Sequence, residues 1–151
     1  DENEIGRDPA APAKIGETVV TGGFAVTLTE IQRGQEAIDT IVSANSFAPD
    51  PGEGQEYALA RIRVEAIGRE PELQHFSTIL FSVQPTSGEP IGLPFLVVPG
   101  ESPDGALLPG AVLEAWLPLA LPVGDDGAVL YYDPTFGFGD QSPARYFALQ
   151  P

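Results

Sequence analysis

The sequence predicts an all-β protein, an antiparallel β-sandwich of about seven or eight short strands. Apolar residues alternate with polar ones in several short runs, most regularly in Tyr57–Ile67. The 17 Gly and 16 Pro among 151 residues are too many for a helical protein and suit closely spaced turns. No alternation of strand and helix patterns and no internal repeat is present. The length is that of one domain, enough to bury a self-sufficient core.

Residues 1–13, DENEIGRDPAAPA, are charged and then rich in Pro and Ala, and read as a flexible N-terminal tail or tether. The sandwich is expected over 14–133. Val19-Val20 begin it, Gly22-Gly23 turn the chain, and Phe24, Val26 and Leu28 alternate as in a half-buried strand. Residues 35–43, QEAIDTIVS, are open: Ile38, Ile41 and Val42 have helical spacing, whereas their β-branching favours a strand.

PGEGQE, at 51–56, has the glycines of a phosphate loop but neither its lysine nor a following helix pattern, so it reads as a turn. It feeds a long strand. Ala58, Ala60, Ile62, Val64 and Ala66 form a small, apolar core face, while Tyr57, Leu59, Arg61, Arg63 and Glu65 form a solvated face covered near Tyr57. FSTILFSV, 76–83, reads as one strand. In IGLPFLVV, Pro94 marks an edge strand or a bulge. PGESPDG is a loop. LLPGAVLEAWLPLALP follows as a strand, with Val112, Glu114, Trp116 and Pro118 in one register and Ala111, Leu113, Ala115 and Leu117 in the other, then the turn VGDDG and the strand AVLYY. The extension 134–151 is rich in aromatics, and RYFAL within it is an added strand by pattern.

The order of these signals resembles the DUF4352 family. Lys14–Ile31 is similar to the family's opening, and Gly54–Ile67 to its Gly-containing turn, aromatic and long strand. Phe81–Gly88 resembles a strand ending in a Ser-Gly hairpin. Leu108, Pro109, Gly110, Val112, Trp116 and Pro118 or Pro122 resemble its Leu-Pro-Gly turn and proline-terminated strand, and Val129–Tyr132 its final strand. The family usually has Asn where this chain has Ile67-Gly68, and it ends near the last strand, before the extension found here. The resemblance implies an immunoglobulin-like sandwich similar to that of the mycobacterial immunoprotective antigen MPT63. It also implies an exported or lipid-anchored bacterial protein, and it assigns no catalytic residue.

Composition excludes several functions. The net charge is −15, and between Glu70 and Ala144 ten acids occur without a single Lys or Arg. Nucleic acid and anionic membrane surfaces are therefore not expected partners. With no Cys there is no disulfide, thiol catalysis or thiolate metal site. The lack of Met, of a spanning segment and of a remaining signal peptide suits an exported chain after signal removal, and a trimmed chain would read alike. The expected location is extracytoplasmic, secreted or anchored at the cell surface.

No catalytic, cofactor-binding or metal residue is assigned. His75 is the only histidine; Ser77, Ser82 and Glu72 lie near it in sequence, but there is no Gly-x-Ser-x-Gly elbow, and it reads as a surface histidine. Asp125-Asp126 and Glu101 with Asp104 read as turn acids before they read as acid–base pairs. Asp50, Glu53, Glu101, Asp104, Asp125, Asp126 and Asp140 would supply oxygens for Ca2+ only if two loops met.

Six of the 13 aromatics, Tyr131, Tyr132, Phe136, Phe138, Tyr146 and Phe147, crowd the C-terminus. Either they close the core or they form an exposed segment for a protein partner or self-association. On the second reading, deleting 134–151 leaves a folded domain. The expected function is a non-catalytic binding or assembly domain. The alternatives are a structural subunit joined through terminal segments and, more remotely, a carboxylate-dependent hydrolase.

Overall fold

A computed structural model describes residues 2–68, 74–134 and 144–150. The strands are β1 (Thr18–Thr21), β2 (Phe24–Arg33), β3 (Gln55–Ala66), β4 (Gln74–Phe76), β5 (Phe81–Gln84), β6 (Ile91–Gly92), β7 (Gly105–Leu107), β8 (Val112–Pro122), β9 (Val129–Tyr132) and β10 (Arg145–Ala148). One helix, α1 (Gln35–Ala44), joins β2 to β3. Two four-stranded sheets, β1-β2-β3-β8 and β10-β9-β5-β6, pack as a sandwich, with the small β4-β7 pair beside them. Within these sheets the orders β2-β3-β8 and β10-β9-β5-β6 match A-B-E and G-F-C-C′ of an immunoglobulin sandwich, with β1 added outside β2 and, among the described residues, no strand in the D position beyond β8. The described strands exceed the expected seven or eight because β4, β6 and β7 are only two or three residues long.

The core lies between the sheets. On β3 the alternation predicted from sequence is observed: Ala58, Ala60, Ile62, Val64 and Ala66 are at most 1% exposed. Size alternates across the ladder to β8, with Ala58 opposite Leu119, Ala60 opposite Leu117 and Ile62 opposite Ala115. A small residue facing a large one lets the two strands fill a single layer without voids.

On β2 the ladder slips between Leu28 and Glu30, a β-bulge at Thr29. Leu28 and Ile31 are three residues apart, which in a regular strand would put them on opposite faces. The extra residue turns both toward the core.

The outer face of β3 is covered only at its start. Ala37 and Ile41, one helical turn apart on α1, pack on Tyr57 and Leu59 with Ala120. That packing resolves 35–43 as helix: a four-residue spacing buries both residues, and Gly34 enters the helix at φ 64°, a conformation open to glycine. Farther along, Arg61 lies 5.3 Å from the Trp116 ring centroid, and Arg63 meets Glu65 at 3.4 Å.

FSTILFSV is not one strand. Residues Thr78–Leu80 form a 3-10 turn that leaves Ile79 62% exposed. Ser77 Oγ accepts from the Ile79 amide, and Asp104 Oδ1 accepts from the Thr78 amide at 2.7 Å. Such local side-chain acceptors draw backbone donors away from the ladder.

The first residues do not hang free. The Asn3 amide donates to the Val20 carbonyl, and Asn3 Nδ2 to that of Thr18. The Tyr146 amide donates to the Gly6 carbonyl, and Ala13 pairs in parallel with Phe147. Residues 2–13 thus join β1 and β10, edges that are otherwise unpaired among the described residues, where composition alone suggested a tether. Gly6 is required there: at φ 77°, a Cβ would lie 2.6 Å from the Tyr146 carbonyl oxygen.

At the other terminus, β10 pairs with β9, and Phe147 and Leu149 are buried. The closing role of the terminal aromatics therefore holds for Tyr132 and Phe147, while Tyr131 and Tyr146 meet edge to face at 5.4 Å on the outer side. Phe136 and Phe138 lie outside the described residues.

Candidate binding groove

On the side where the edges β6 and β8 face each other, the chain leaves β6 and crosses toward β7 as an extended apolar strap. Leu96 and Val98 turn inward against the cluster of Tyr57, Leu59 and Trp116. Phe95 and Val97 turn outward, Phe95 fully exposed and Val97 55% exposed. Between this strap, the Ser77–Leu80 turn and the outer face of β8 lies a groove of about 1030 Å³. Trp116 and Pro118 belong to its lining, with Ile79 and Phe95 among its apolar walls. Its charged lining residues are Glu101 and Asp104, with no Lys or Arg among them.

Pro94 now has a local meaning. Regular β6 ends at Gly92, and from Leu93 to Glu101 the backbone makes no hydrogen bond among the described residues. Among the described residues, the strap is held by side-chain packing. The sequence shows here only a continuous apolar run; the alternating exposure, Phe95 and Val97 out and Leu96 and Val98 in, is a finding of the structure. Nothing in the run itself distinguished an edge strand from an unpaired strap.

The other chemical candidates are dispersed. His75 is exposed on β4 opposite Ala106, and its imidazole has no hydrogen-bond partner among the described residues. Asp125 Oδ2 accepts from the Thr86 amide at 2.8 Å, and Oδ1 accepts from the Thr86 hydroxyl and the Gly127 amide. The Thr86 hydroxyl foremost, then the Thr86 amide, holds the Asp125 carboxyl below the usual carboxylate range. Glu56, from the PGEGQE turn, accepts from Arg33 at 3.0 Å. Asp104 caps the 3-10 turn, and Asp140 lies outside the described residues. Among the described residues, no three His, Cys, Asp or Glu side chains converge as metal ligands.

A second polar feature was missed in the sequence. Arg145 is completely buried at the start of β10, opposite Tyr132 on β9. Its Nη1 donates to Asn3 Oδ1 and the Ile5 carbonyl, while Nε, Nη2 and the Tyr132 hydroxyl have no hydrogen-bond partner among the described residues. Burial lowers the Arg145 pKa, opposed mainly by Glu2, and burial raises that of Tyr132. An arginine in an apolar run gives no warning that the opening residues will cap it.

No family model and no curated protein matches the chain. Among solved structures it is similar to the yjhA protein from Bacillus subtilis, with a TM-score of 0.62 at 14% identity over 91% of this chain and 98% of that one. The class of protein defined by fold is thus an all-β sandwich, shared with that bacterial structure. The DUF4352 resemblance stands on its residue pattern alone.

Proposed function

We propose that this chain is a non-catalytic, extracytoplasmic immunoglobulin-like domain of an exported or surface-anchored bacterial protein, and that it binds another protein through the strap and groove. The observation that carries this reading is Phe95, fully exposed beside Ile79 and Val97 at the mouth of an apolar groove. Exposed large apolar side chains that adjoin one another mark interaction surfaces, and aromatics are favoured anchors there. The expected C-terminal docking segment is a weaker candidate, because Phe147 and Leu149 are core residues.

Selection from a displayed random-peptide library tests the reading. The native domain is expected to enrich binders that a Phe95→Ser, Ile79→Ser double variant does not hold. Equal retention by both would overturn it. A second reading, a structural subunit, is favoured by the strap of residues 2–13, which bonds to β1 and β10 through short contacts that another copy's segment would satisfy equally. Light scattering after size exclusion separates the two: a monomer at all concentrations counts against assembly.

A further inference from the structure

We infer that the groove takes an extended, lysine- or arginine-bearing apolar segment of another protein, added as a strand alongside Phe95–Val98. This rests on the binding reading above and specifies its partner. Four consecutive amides, from Phe95 to Val98, lie between Pro94 and Pro99 and are unpaired among the described residues. The side chains of the strap are already sorted, two inward as anchors and two outward. This is the arrangement that strand addition needs: main-chain donors and acceptors supply affinity, and adjacent pockets take alternate side chains.

The two prolines bound the open window. Neither can donate to a ladder, so pairing cannot extend far in either direction, and the exposed edge is protected from open-ended association. A short, delimited edge fits one incoming segment better than a growing sheet.

Charge selects the occupant. Among the described residues the groove lining carries Glu101 and Asp104 and no base, with Arg61 lying over the ring of Trp116, in a chain of net charge −15. A second acidic copy would be repelled, whereas Lys or Arg beside the apolar residues of an incoming segment would face these carboxylates.

The test uses the full 15N-labelled chain and two synthetic probes. One is a ten-residue peptide of alternating Val and Thr ending in two Lys; its twin ends in two Glu. The Lys peptide is expected to slow amide hydrogen exchange at least tenfold at saturation at the two alternate amides of the strap that face it, either Phe95 and Val97 or Leu96 and Val98. It should bind at least tenfold more tightly than the Glu twin, with the gap closing as salt is raised. Of the variants Leu96→Pro and Val97→Pro, the one that removes a donor facing the added strand, identified by which amides are slowed, should bind it at least fivefold more weakly.

Binding that shifts Ile79 and Trp116 resonances without slowing exchange at Phe95–Val98 would overturn strand addition and leave the binding reading intact. Equal affinity for the two peptides would overturn the charge assignment. No binding of either peptide overturns the inference, and the library selection then judges the binding reading separately. Slowed exchange that depends only on protein concentration would make a second copy the occupant and likewise overturn it.

Discussion

Arg145 and Asn3, separated by 142 positions in sequence, are joined by a hydrogen bond of 3.0 Å from the guanidinium Nη1 to the amide oxygen. That oxygen also accepts from the Val20 amide, and Asn3 Nδ2 donates to the Thr18 carbonyl. One side chain therefore holds the opening residues, β1 and β10 together. Asn3→Ala is expected to cost about 2–4 kcal/mol, because it removes these bonds and leaves a buried cation short of an acceptor. Arg145→Met should cost less, since it removes a buried charge with two nitrogens unbonded among the described residues and keeps roughly the same volume. Urea melts would check the order; Arg145→Met as the worse variant contradicts it.

Gly6→Ala is expected to destabilise by about 1–3 kcal/mol, from positive φ and from the clash with the Tyr146 carbonyl. Gly16→Ala is the matched control, at φ 92° with open space around it, and should cost only about 1 kcal/mol. Similar losses for both would mean that the close approach at Gly6 contributes nothing.

Phe147 is fully buried in the core on the last strand. Phe147→Ala should cost about 3–5 kcal/mol, and removing residues 134–151 should abolish cooperative unfolding instead of leaving a folded domain. Circular dichroism on heating would show it; a sharp transition in the truncated chain restores the expectation of a separable extension.

The Thr86 bonds stabilise the ionised form of Asp125, so their contribution is fully present above the ordinary Asp pKa of about 3.9 and is lost as pH falls through the lower folded value. Thr86→Val is expected to lower stability at pH 7 by an amount that shrinks below about pH 4. Urea midpoints of both proteins between pH 7 and 3 would reveal a constant gap if Asp125 is not involved.

Phe95→Ser should leave stability within about 0.5 kcal/mol of the native protein, because the ring is fully exposed. A larger loss in thermal melts would show that the ring packs within its own chain.

The sequence made the central strands legible because β3 and β8 are long and their small and large residues alternate with period two. Elements fixed by distant partners were not legible. The bulge at Thr29 is visible only when Leu28 and Ile31 must share a face. The 3-10 turn at Thr78 depends on Asp104, 26 residues away. Residues 2–13 look like a tether because a strap secured by Asn3, Gly6 and Ala13 needs few apolar residues. For the groove, IGLPFLVV announced an apolar edge, but which of its residues turn outward is decided by the cover that Leu96 and Val98 give to β3 and β8. His75 and the paired acids drew notice by residue type, yet geometry distributes them among separate turns.

The parallel alignment of Ala13 with Phe147 also has a mechanical meaning. A force that pulls the N-terminal side of one segment and the C-terminal side of the other drags the two past each other along their length. The hydrogen bonds that the amides of Ala13, Ala148 and Tyr146 donate to the carbonyls of Tyr146, Ala13 and Gly6 then bear the load in shear together and do not open one after another like a zip. Resistance to stretching is set by the barrier to rupture and not by equilibrium stability. This small patch is thus a clamp loaded in shear when these two segments are pulled apart.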